Sequence, residues 1–140
     1  MIRPWTTLRR AARAPVLAAA AAALLAPAVA AQSEFPFGRE LLLDVKPMKG
    51  SKRVPMLDID DKGLAEIDLW CNSVKAQLVV AADTITIITG KMSARQCPPD
   101  PARADDELLA ALNQVTKWRM EDFALVFTGG TTLRFLRQTN

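Results

Sequence analysis

The first thirty residues decide how much chain is left to fold. They begin with Arg3, Arg9, Arg10 and Arg13, run through an apolar stretch from Pro15 to about Leu25, and end in Ala28-Val29-Ala30. A basic start, an apolar middle and small residues before a cut are what a cleavable export signal requires. Cleavage is expected before Ala31 or, one residue later, before Gln32. The apolar run is about 11 residues long, where a membrane span needs about 20, and Pro27 follows it. No cysteine stands at the cut to take a lipid. The expected mature chain is therefore a periplasmic or secreted monomer of about 109 residues, without a stable membrane anchor. Such a chain makes one domain, residues 31–140, whose modest core gains much from a covalent staple.

Cys71 and Cys97 are the only two cysteines. In an oxidising compartment their pairing would close a loop worth roughly 3 to 4 kcal/mol on the chain-entropy model. A pair of free buried thiols is the alternative. A redox-active pair has less to support it, because there is no C-x-x-C and no thioredoxin-like βαβ pattern.

Charge reads differently once the leader is set aside. The whole chain has 18 Lys and Arg against 15 Asp and Glu, and a pI near 9.1. Four of the basic residues belong to the leader and every acidic residue lies beyond it, so the mature charge is about −1. The basic pI belongs to the targeting peptide. No nucleic-acid partner is expected, since no basic stripe with interleaved aromatics remains.

Hydrophobic patterning points to short strands. Glu40 to Val45 reads as the first, followed by a solvated connection from Lys46 to Pro55 that carries Lys46, Lys49, Lys52 and Arg53. Met56 to Asp60 and Leu64 to Cys71 flank Asp61-Lys62-Gly63, a hairpin signal. In the second of these, Ala65, Ile67, Leu69 and Cys71 alternate with Glu66, Asp68 and Trp70, which places Trp70 on the polar face. Gln77 to Ala81 and Thr84 to Thr89 form a β-branched hairpin around Ala82-Asp83, expected at the centre of the sheet. Asp100 is placed to cap a helix with Pro101 in its first turn, and Asp105, Asp106 and Glu107 favour that end. Leu108, Leu112 and Val115, with Leu109 and Trp118, would form its apolar stripe. Phe123 to Phe127 and Thr132 to Leu136 flank Gly129-Gly130, a closing hairpin.

The chemical inventory excludes more than it suggests. With no histidine in the chain, Ser-His-Asp and Cys-His nucleophile systems and histidine metal sites are impossible, and tyrosine is absent too. Asp58, Asp60, Asp61 and Gly63 echo a calcium loop, but Leu69 stands where a bidentate glutamate is required. An acidic hairpin turn accounts for the same residues. Glu66 and Asp68 could form an acid/base pair, although solvated residues of an amphipathic strand look the same. No glycine-rich phosphate loop precedes a helix. No metal and no cofactor are expected.

Taken together, the order of these features resembles the META/HslJ-like domain family. The resemblance rests on Cys71-Asn72, on Cys97 preceded by Met92-Ser93-Ala94, on the helix through Leu108, Leu112 and Val115 to Trp118, and on the closing Leu125-Val126-Phe127 and Thr132-Leu133-Arg134-Phe135. It runs from about Phe37 to Phe135. Trp70 and Ala76 stand where glycines are common in the family, and Asp122 replaces a frequent turn glycine. The resemblance implies an α+β fold, a compact antiparallel barrel-like sheet with one α-helix packed against it. It implies no established enzymatic activity, and bacterial relatives are associated with envelope stress. The reading that follows is a non-catalytic exported protein that binds an envelope protein or an apolar ligand. Trp70, Asn72 and the loop residues Lys49, Lys52 and Arg53 are its candidate contacts. A small carboxylate-dependent hydrolase using Glu66 and Asp68, and a secreted enzyme inhibitor, are the other two readings.

Overall fold

A computed structural model describes residues 34–138, so the export signal and its cut lie outside the described residues. Eight short antiparallel strands close on themselves: β1 (Arg39–Leu43), β2 (Met56–Ile59), β3 (Leu64–Asp68), β4 (Ser73–Ala81), β5 (Thr84–Thr89), β6 (Lys117–Glu121), β7 (Ala124–Thr128) and β8 (Leu133–Arg137). One helix, α1 (Pro99–Asn113), interrupts the meander between β5 and β6. Each strand pairs with its neighbour in sequence and β8 returns to β1, which removes the free edges a flat sheet would expose. The expected barrel-like sheet with a single helix is the observed fold.

Alternation builds the interior. Leu41, Leu57, Ile59, Ile67, Phe127 and Phe135 point inward and are fully buried, while Glu40, Asp58, Glu66 and Lys75 occupy one outward row across β1 to β4. β4 is the longest strand, and both its flanks are paired along most of its length. β5, its expected companion at the centre of the sheet, instead borders the weakest seam. Its registered pairing with β6 is Thr84 with Lys117. Below that pair the barrel is completed by α1, whose Leu108 and Leu112 are buried in the core.

Two sequence expectations need correction around α1. The helix begins at Pro99 with Pro98 in the cap position, and no side chain caps it; Asp100 lies in the first turn, bonded to Arg103 at 3.0 Å. Pro99 and Pro101 lack N–H groups, so fewer amides are left to cap. The helix also ends at Asn113, before Val115 and Trp118. Val115 is buried in the link, and Trp118 belongs to β6, where its indole Nε1 donates to Ala82 O at 2.8 Å. Val115 and Trp118 continue the helical spacing by coincidence. Trp118 and Met120, alternating with Lys117, Arg119 and Glu121, carry the period-two signal of the strand. A Cβ on Gly129 would stand 2.1 Å from the Gln114 carbonyl oxygen, so the β7–β8 turn needs glycine to dock on the helix end.

Candidate functional site

The best-organised polar cluster surrounds the turn Leu69 to Asn72, which joins β3 to β4. Four consecutive carbonyls and two amides here are satisfied from opposite sides. Arg53 takes the carbonyls: Nε donates to Leu69 O at 3.0 Å, and Nη2 donates to Cys71 O at 2.8 Å and to Asn72 O at 2.6 Å. Ser51 Oγ donates to Trp70 O at 2.6 Å. Asp105 takes the amides: Cys71 N donates to Oδ1 at 3.1 Å, and Asn72 N to Oδ2 at 2.8 Å. A cation on the carbonyl side and an anion on the amide side both run with the peptide dipoles, and charged partners make these the stronger kind of hydrogen bond.

Asn72 is the hub. Its Nδ2 donates to Asp105 Oδ2 at 3.1 Å and to Cys97 Sγ at 3.2 Å, while its Oδ1 accepts from Ser93 Oγ at 3.1 Å and from Arg95 N at 2.9 Å. Ser93 closes the circuit, accepting from Ser73 N at 2.9 Å. The disulfide joins Cys71 to Cys97, with Cα atoms 6.0 Å apart, so the expected pairing is present. The strap from Gly90 to Pro98 is thus tied to the turn by one covalent bond and several hydrogen bonds. All of Asn72's side-chain polar atoms have partners inside the protein.

The candidate contacts divide accordingly. Asn72 is 6% exposed and Trp70 9%, so neither presents a free binding surface. Alternation put Trp70 outward with Glu66 and Asp68, but β3 ends at Asp68, and the tight turn that follows swings the indole inward. Arg53 is half-buried and committed to the turn and to Asp68, 3.1 Å away. Lys49 and Lys52 remain exposed. The sequence alone suggests for Asp105 a favourable charge near the helix start, yet it is fully buried. Its place two turns into the helix and three residues before Leu108, on the apolar stripe, was the available signal.

The two carboxylates of the hydrolase reading are not organised as a pair. Asp68 is bound to Arg53, while Glu66 is exposed opposite Asp58 on β2 and Lys75 on β4. These last three residues, with Asp60 and Leu64, line an open depression of about 260 Å³ on the barrel's outer wall. Asp60 itself serves the β2–β3 turn, its Oδ1 accepting from Lys62 N and Leu64 N, each at 2.8 Å.

Comparison with known proteins agrees with this architecture. The META domain family model matches residues 39–140. This chain belongs to the META domain family. No curated protein matches its sequence. Among solved structures, it is similar to a protein from Burkholderia xenovorans determined by NMR. The two share 17% identity and a TM-score of 0.57, over 82% of this chain and 98% of that one. A second NMR structure is similar at 15% identity and a TM-score of 0.56, covering 71% of this chain and 88% of the other. At such identities the likeness concerns the fold. In this META domain, Cys71-Asn72 and Cys97 form the hub of a structural lock.

Proposed function

We propose that this META domain is an exported, non-catalytic binding module of the bacterial envelope, periplasmic or secreted, with a supporting role under envelope stress. The observation that carries this reading is the commitment of its best-placed polar groups. Both oxygens of Asp105 and every polar atom of the Asn72 side chain are engaged in holding the Leu69–Asn72 turn, and Asp68 is held by Arg53. A general acid or base needs a carboxylate within reach of substrate. Among the described residues the buried carboxylate here faces backbone amides instead. The disulfide and the signal-like leader support export, since disulfides persist in oxidising compartments.

A carboxylate hydrolase is the competing reading, favoured by Glu66 facing Asp58 across β2 and β3 beside the depression. Complementation of a deletion strain separates the two. Glu66→Gln and Asp68→Asn should each restore the phenotype at wild-type protein levels, with the intact mass of the envelope fraction reporting cleavage at Ala31 or Gln32. Loss of function in either isosteric variant, stably folded, would replace this reading with the enzyme.

A further inference from the structure

Because the strands run up and down in sequence order, alternate connections gather at opposite ends of the barrel. One end holds the turns β2–β3, β4–β5 and β6–β7. The other holds the β1–β2 loop, the β3–β4 turn and the strap that leads from β5 into α1. The first set carries Asp60, Asp61, Asp83 and Asp122 against Lys62. The second carries Lys46, Lys49 and Lys52 on the loop and Lys91 and Arg95 on the strap, all exposed and none in an ion pair among the described residues.

These two segments meet at one place. Ser51 of the loop bonds Trp70 O, and Ser93 of the strap bonds the Asn72 side chain, so both are fastened to adjacent residues of the locked turn. The loop is held at its other side by Asp44 N donating to Arg134 O at 2.8 Å. Its lysines therefore stand on a fixed frame. Helix α1 brings Asp100, Asp106 and Glu107 to the same end; Arg103 bridges the first and last of these, and Lys49 shares a surface cavity with the same two, so the excess of positive charge is carried by the two loops. Beside the lysines, Val45 is 43% exposed and Met48 half-buried.

We propose that the disulfide end of the barrel docks on an anionic lipid bilayer through Lys46, Lys49, Lys52, Lys91 and Arg95. This rests on the binding reading above and names its partner. Charge complementarity carries it: cations spread over two loops match a plane of headgroup phosphates, and the exposed Val45 adds apolar contact at the interface. Each basic residue near an anionic membrane contributes about 1 kcal/mol, so three loop lysines together are worth on the order of a hundredfold in partitioning.

Flotation of the mature protein with phosphatidylglycerol-containing vesicles, and with pure phosphatidylcholine vesicles, tests this. Binding is expected to the anionic vesicles alone and to weaken with salt. Lys46→Gln/Lys49→Gln/Lys52→Gln should reduce it on the order of a hundredfold, and Lys62→Gln at the other end should leave it unchanged. Equal binding to neutral vesicles, retention in the triple variant at an unchanged melting temperature, or full displacement by inorganic phosphate would overturn the proposal. If vesicle binding fails while Glu66→Gln and Asp68→Asn still complement, the non-catalytic reading stands and the partner is not a membrane.

Discussion

The two ends of this barrel are built on different principles. At the turn end the connections are shaped mostly by residues adjacent in sequence: Asp60 bonds the amides of Lys62 and Leu64, Gly63 takes φ +83°, and Ala82 and Asp122 take φ +54° and +51°. The β4–β5 turn also has long-range ties, from Trp118 to Ala82 O and from Lys117 to Asp83. At the disulfide end the stabilising contacts span 15 to 34 residues, from Arg53 to Asp68 and from Asp105 to Cys71. Local turns fix register early and at small entropic cost, whereas the distant contacts require the loop, the strap and the helix to arrive together. The disulfide end should therefore contribute far more stability per residue changed.

The widest gap between the ends comes from Asp105. Asp105→Ala leaves the amides of Cys71 and Asn72 and the Asn72 side chain buried without their acceptor. A loss of about 3 to 5 kcal/mol is expected, as for other buried charged hydrogen-bond centres that lose one partner. Urea unfolding of the oxidised protein measures it. A loss of about 1 kcal/mol or less would break the contrast, because the locked end would then be no more dependent on its network than the turns are on theirs.

The same contrast explains what the sequence revealed. Strand alternation, the Asp61-Lys62-Gly63 and Gly129-Gly130 turns and the Leu108-Leu112 stripe are short-range patterns, and all of them lie where the fold needs them. The cysteine pairing was legible from inventory, since a chain with two cysteines offers one pairing. The roles of Asn72, Arg53 and Asp105 were not legible. An asparagine beside a cysteine and an arginine in a basic loop read as surface contacts until 15 to 34 residues of chain are folded back on them. Trp118 misled for the opposite reason, its spacing from Val115 satisfying a helix that had already ended.

At the turn end, one residue should be improvable. Ala82 occupies the left-handed region, where a side chain costs roughly 1 kcal/mol, and it carries no hydrogen-bonding group to compensate. Ala82→Gly relieves that strain but adds freedom to the unfolded chain, leaving a net gain of about 0.5 kcal/mol. Asp122→Gly should gain less, because aspartate tolerates this conformation better. The φ of +51° at Asp122 is one that glycine adopts without strain. Thermal melts of the two variants sharpen the comparison. A destabilised Ala82→Gly would mean that this turn is held by packing around Ala82 and not by local conformation.

The smallest effect sits on the surface beside that turn. Lys117 Nζ lies 2.7 Å from Asp83 Oδ2, and its hydrogen bond and charge hold the Asp83 carboxyl below the usual range. A carboxylate with a lowered folded value binds its proton less readily in the folded chain than in the unfolded one. The stabilisation is thus complete above the ordinary carboxylate range, near pH 4, and fades as pH falls through the lower folded value. Both partners are solvent-exposed, so the effect is small and screened by salt. Lys117→Gln should lower the melting temperature by about a degree or two at pH 7 in low salt. At a pH below the lowered folded value, or in 1 M salt, the two proteins should melt together. A difference that persisted under both conditions would show that Lys117 acts through the β5–β6 seam, where it pairs with Thr84, and not through its charge.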